Sequence, residues 1–297
     1  MLNLVRIENF RCLKSVKVPL RPLTVLIGPN DSGKSAFLAA LHKITNQLQI
    51  PIADRWRRAV EYPPNIQAES TDGRILPADL YCLPSTGVSM ESGGHPDESG
   101  VPPVDTEGGG VPGLLDYLLR RDRKRFFDFV AALRALVPGL EEVEIATPQA
   151  DRRRVDLVIE HGFRIPGDQA SAGVRLLLFF VALAYHPSPP RLILLEEPEN
   201  GLHPKRLADV VNLLRDVAHG KHAGHAAQVV LTTHSPYLLD HIDLATDQVL
   251  IFRRNDDGSR TAEPADQSRL KTFLDEFMLG EVWFNQGEEG LLAAPAK

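Results

Sequence analysis

Two cysteines in 297 residues, Cys12 and Cys82, are too few for a disulfide framework and stand in no metal-ligand spacing, so reduced structural thiols are expected. No apolar run approaches the roughly 20 residues that span a bilayer; the longest covers residues 174–185. The opening MLNLVRIENF places Arg6 and Glu8 where a signal peptide would be apolar. No membrane insertion and a cytoplasmic location are therefore expected. Positive charge is short as well: 33 Lys and Arg face 39 Asp and Glu, for a net charge of −6. On average such a chain repels a polyanion, and any contact with nucleic acid has to come from a local patch. What the chain does have is 43% apolar residues, enough to fill one large α/β domain or two small ones.

Residues 2–9 alternate like a half-buried strand, a second short strand follows over residues 14–18, and Leu23–Ile27 is a continuous apolar run ending at Gly28. Residues 34–47 carry apolar side chains at helical spacing. Strand, glycine-rich loop and helix thus follow one another directly. Residues 48–113 are rich in Pro, Gly, Ser and acids and read as a mobile insertion. Residues 114–164 return to helical periodicity and then to two strand-like segments, an inserted helical and β lobe. From residue 165 the pattern is a helix from Ser171, a strand over 192–195, a helix over 204–218, a strand at Gln228–Thr232 and a last strand over 249–252. Alternation of strands and helices implies a largely parallel, doubly covered sheet. The expected fold is an α/β P-loop core made of residues 1–47 and 165–297, with antiparallel strands at its N-terminus and an inserted α+β lobe.

Gly28, Pro29, Asn30, Asp31, Ser32, Gly33, Lys34 and Ser35 fit the phosphate-loop pattern G-x-x-x-x-G-K-[ST]. The glycines let backbone N–H groups turn inward around phosphate oxygens, and the following helix aims its positive end at the same charge. Lys34 is placed to reach the β- and γ-phosphates, and Ser35 to offer a hydroxyl to Mg²⁺. ATP and Mg²⁺ are the expected cofactors. Further on, the apolar run at residues 192–195 leads into Glu196 and Glu197, at the strand end where open α/β sheets bind ligands. Neighbouring strand side chains face opposite ways, so Glu196 can serve the metal while Glu197 orients and activates the attacking water. His234, at the end of a strand and followed by Ser235-Pro236, can donate to a phosphate oxygen.

The segments VRIENFRCLKSVKVPLRPLTVLIGPNDSGKS, LILLEEPENGLHP and VVLTTHSPYLLD resemble the ABC-type ATPase heads of the RecF, SMC and OLD group. The resemblance covers residues 1–43 and 169–289. It implies that His234 is the switch histidine at the γ-phosphate, that residues 200–203 form the D-loop along a dimer interface, and that residues 168–175 are the signature motif. Ser171 and Gly173 would then bind the γ-phosphate held by a second subunit. Three departures from the pattern stand out: Ala172 replaces the first signature glycine, Glu196 stands where Asp is usual, and Asp31 where glycine is common. OLD nucleases carry a Toprim domain after the head; this sequence stops soon after GEVWFNQGEEG, so a stand-alone head is expected.

The resemblance implies an ATP-hydrolysing homodimer working with DNA or a DNA-acting protein, in DNA repair or phage defence. Two other readings stay open, an ATPase subunit serving a separate membrane transporter and a nucleotide-gated module that does not hydrolyse. The arginine runs at residues 55–58, 120–125 and 152–154 read as solvated faces, and His219, His222 and His225 as a loop without the carboxylates of a metal site.

Overall fold

The computed structural model describes residues 1–58, 61–93, 100–222, 225–266, 270 and 277–292, the side chains of 58, 288 and 289 excepted. The remaining parts of the Pro/Gly/Ser-rich stretch, residues 59–60 and 94–99, lie outside the described residues, as do 223–224 of the histidine loop. The chain divides into two compact units. One comprises Met1–Leu80, Pro190–Pro198 and Ala227–Lys297; the other Tyr81–Pro189 and Glu199–Ala226.

The first unit is built on a nine-stranded sheet. Its centre is β3 (Leu23–Ile27), all five residues of which are buried. On one side β3 pairs in parallel with β11 (Gln228–Thr232), and β11 in parallel with β10 (Leu192–Glu196). On the other side it pairs in parallel with β12 (Gln248–Arg254). The three inner strands read as unbroken apolar runs because both faces of a covered parallel sheet are shielded from water. Beyond β12 the sheet turns antiparallel through β13 (Arg260–Pro264), then meets β2 (Leu13–Pro19), β1 (Leu2–Phe10) and the edge strand β4 (Asn65–Ser70). Strand β5 (Ala78–Tyr81) closes the opposite edge. Helix α1 (Lys34–Thr45) packs Phe37, Leu38 and Leu41 into the main apolar cluster, with Phe37 edge-on to Phe252 at 5.5 Å.

The fold is thus an α/β core with a mostly parallel sheet, antiparallel strands at the N-terminal side and a separate small antiparallel sheet. That small sheet belongs to the second unit. Its middle strand, β8 (Arg152–Ile159), pairs with β7 (Leu140–Ala146), with β6 (Glu91–Gly93) and with β9 (Phe163–Pro166). The helical periodicity over residues 114–137 resolves into two helices, α2 (Val111–Arg121) and α3 (Arg123–Leu136). Asp122 divides them, since its side chain accepts from the Arg125 N–H at 3.2 Å and caps α3. Helix α4 (Ala172–Ala184) is buried from Leu176 to Ala184, and α5 (Leu207–Ala218) shows the amphipathic pattern of a half-covered helix. The arginine runs are partly tied down: Asp116 receives both Arg120 (2.7 Å) and Arg153 (2.8 Å), Arg125 pairs with Asp122 and Arg154 with Asp156.

Candidate nucleotide site

The loop after β3 turns through backbone geometries that glycine alone adopts easily. Gly28 has φ 148° and Gly33 φ 100°. A Cβ on Gly28 would lie 2.4 Å from the Phe252 carbonyl oxygen, and one on Gly33 would press on Leu13 and Arg260. Gly33 is also the N-cap of α1, where no side chain caps the first turn, so the helix start faces the loop with its N–H groups. Ser32 is buried and its N–H donates to the Pro29 carbonyl at 3.2 Å, while Pro29, Asn30 and Asp31 form the exposed crest. Lys34 is 5% exposed and its Nζ donates to the carbonyls of Gly28 (2.8 Å) and Pro29 (3.0 Å). The ammonium therefore lies over the loop's own concavity.

Asp31 adopts φ 60°, a left-handed conformation that Asp tolerates better than most residues. It is gripped from outside the loop. Arg260, its side chain 6% exposed, donates Nη2 to the Asp31 carboxylate and Nε to the Asp31 carbonyl, both at 2.5 Å. Its own N–H donates to the Cys12 carbonyl at 3.0 Å. This clamp was invisible in the sequence, where Arg260 reads as a residue following the DDGS turn.

Parallel register brings three strand ends to one edge: Leu26 pairs with Thr232, and Thr232 with Glu196. The Ser35 hydroxyl donates to Oε1 of Glu196. A hydroxyl and a carboxylate converging in this way make a hard, all-oxygen donor set of the kind Mg²⁺ accepts, since that ion takes few protein ligands. Glu197 follows with φ 45°, and its N–H donates to Oγ1 of buried Thr232 at 3.1 Å. Oε1 of Glu197 lies 3.4 Å from Nε2 of His234. Burial, and after it the Lys34 charge, push the His234 pKa below its ordinary 6.5, while Glu197 opposes them. Ser235 caps the short helix α6 (Pro236–Leu239) behind the histidine.

Next to the loop lies a pocket of about 660 Å³ lined by Arg11, Cys12, Ala53, Asp54, Arg55, Trp56 and Arg57. Asp54 in it is bound by Arg11 at 2.9 Å and by Lys43 at 3.4 Å, and the buried Nε of Arg55 has no hydrogen-bond partner among the described residues. Leu13, the residue after Cys12, is the one that packs on Gly33.

Gly28 to Ser35, Glu196, Glu197 and His234 are thus gathered in the first unit. Ser171 and Gly173 lie in the second, at the start of α4. There the Ser171 hydroxyl accepts from the Val174 N–H at 3.4 Å, and a Cβ on Gly173 would meet the Gly201 carbonyl oxygen at 3.5 Å. Arg175, one turn on, donates to the carbonyls of Val88 (3.2 Å) and Thr86 (2.5 Å).

Comparison with known proteins adds an independent finding. Residues 94–240 match the family model described as AAA domain, putative AbiEii toxin, Type IV TA system, and residues 1–75 match the AAA ATPase domain model. A stretch of 122 residues is 30% identical to the OLD nuclease of Thermus scotoductus. The chain is thus similar to AAA-type ATPase domains over most of its length and to an OLD nuclease over part of it. The chain spans 22% of the length of that OLD nuclease, and the match covers 38% of the chain. An SMC head bound to the C-winged helix domain of ScpA is similar in fold, with a TM-score of 0.60 at 13% identity, covering 91% of this chain and 99% of that one. A Pyrococcus furiosus Smc head with an extended coiled coil gives 0.56 at 11% identity, covering 93% and 98%. The match to AAA ATPase domain models implies nucleotide binding. Among the described residues no helix is long and apolar enough to cross a membrane.

Proposed function

We propose that the chain binds ATP with Mg²⁺ and hydrolyses it, with Glu197 as the base that activates water and His234 as the donor to the γ-phosphate. The observation that carries this reading is the convergence of Lys34, Ser35, Glu196, Glu197 and His234 at the ends of three parallel strands. Lys34 exchanges the loop carbonyls for phosphate oxygens, and the loop N–H groups complete the cradle. Ser35 and Glu196 would hold Mg²⁺, and the ion would supply positive charge beside the phosphates. The carboxylate of Glu197 takes a proton from water, and His234, kept neutral by its depressed pKa, donates one N–H without repelling Lys34. The pocket lined by Arg11, Cys12 and Trp56 is the candidate site for the nucleoside.

Ser171 and Gly173 present a helix N-terminus to the γ-phosphate of a second copy, which makes the working form a head-to-tail homodimer. Resemblance to OLD nuclease and to a toxin-type ATPase domain supports work beside DNA or a DNA-acting protein, in repair or phage defence. Light scattering of Glu197→Gln with and without Mg²⁺-ATP, run beside hydrolysis by the wild type, tests both halves. ATP-dependent doubling of mass with wild-type turnover is expected. A monomer under all conditions overturns the homodimer, and absence of turnover leaves a nucleotide-gated binding module.

A further inference from the structure

Resting on that reading of Glu197, we infer that Thr232 is a positioning residue for hydrolysis: its hydroxyl fixes the backbone turn that aims the Glu197 carboxylate at His234. Glu197 is the first residue beyond β10 and has φ 45°, a conformation an L-residue with a long side chain rarely adopts. Such a geometry persists only where the surroundings over-determine it. Here the determinant is visible. The Glu197 N–H donates at 3.1 Å to Oγ1 of Thr232, a residue 1% exposed and register partner of Glu196.

The next residue does a matching job for the histidine. Thr233, fully buried, donates its N–H to the Leu26 carbonyl at 3.1 Å and accepts from the Ser235 N–H through Oγ1 at 2.9 Å. Consecutive threonines at the end of β11 therefore hold the two sides of the 3.4 Å approach between Glu197 and His234, one by each hydroxyl. Neither hydroxyl has to touch substrate. Thr232 contributes by direction alone, and a carboxylate swung by about 1 Å loses on the order of 100-fold in rate.

The test compares the full-length wild type with Thr232→Val, which keeps the shape and removes the acceptor, and with Thr232→Ser, which restores it. Turnover and KM for ATP, Kd for a fluorescent ATP analogue, and Tm are measured for each, with Glu197→Gln alongside. Thr232→Val is expected to lose roughly 10- to 100-fold in kcat with KM, Kd and Tm close to wild type, and Thr232→Ser to recover most of the rate. Should the valine variant fail to fold, Thr232→Ala takes its place. Wild-type turnover by the valine variant while Glu197→Gln is inactive overturns the inference alone. A joint fall of kcat, affinity and Tm that serine does not rescue also overturns it, by making Thr232 merely structural. Undiminished hydrolysis by Glu197→Gln removes the base assignment and this inference together.

Discussion

Glu196 and Glu197 are neighbours in sequence, yet one change in backbone conformation gives them separate work: the first stays in the strand and meets Ser35, the second turns out and meets His234. Lys34→Ala should abolish ATP binding, because the ammonium over the loop is the main positive charge offered to the β- and γ-phosphates; equilibrium binding of labelled ATP reads this directly. The same change bears on His234, whose pKa Lys34 helps to hold down. In an NMR titration the His234 ring of the wild type should protonate below pH 6.5, and in Lys34→Ala its midpoint should move upward. Arg260 offers a different residue-scale outcome. Arg260→Met leaves Asp31 in a left-handed conformation without its clamp, so ATP affinity should fall while kcat at saturation falls less.

At the scale of elements, close approach matters more than composition. Helix α7 (Leu279–Leu291) starts against α6, where a Cβ on Gly280 would lie 2.0 Å from the Pro236 carbonyl oxygen. Backbone is what it meets, so Gly280→Ala should lose about 1–3 kcal/mol in urea unfolding, with α7 displaced from α6. Legibility follows a similar divide. The buried strands Leu23–Ile27 and Gln228–Thr232 stand out in the sequence with their observed bounds, because a two-faced parallel strand is an apolar run whatever its neighbours. The phosphate loop is legible for a related reason, since its glycines and lysine are demanded locally. Strand β4, by contrast, buries mainly Ile66 among polar residues, as edge strands do, and β13 reads RTAEP. Thr232 and Arg260 act through partners 35 and 229 residues away, and no local pattern announces such partners.

For the whole molecule, acid sensitivity can be derived from three histidines. His42, His186 and His234 all have pKa values lowered in the folded state, each chiefly by burial. His186 is held in one neutral tautomer, its Nδ1 accepting from the Ser188 N–H at 3.0 Å and its Nε2 donating to the Pro102 carbonyl at 3.1 Å. The unfolded chain takes up protons near pH 6.5 while the folded chain resists. Stability from these groups is therefore complete above 6.5 and is lost as pH falls from there toward the folded values. The urea midpoint should be lower at pH 5.5 than at 7.5, and replacing His186 by Gln should reduce the difference.

The central position of β3 also has a consequence in time. Both strands that flank it, β11 and β12, lie some 200 residues downstream, so at a ribosomal pace of about 5–20 residues per second the run LTVLI waits roughly 10–40 s without either neighbour. Nascent chains halted before residue 228 should be captured by chaperones or cleaved readily near β3, and chains released past residue 254 should resist the same protease. The strand that carries the phosphate loop is thus among the first made and the last protected, which ties the yield of active protein to how quickly its C-terminal third can be synthesised.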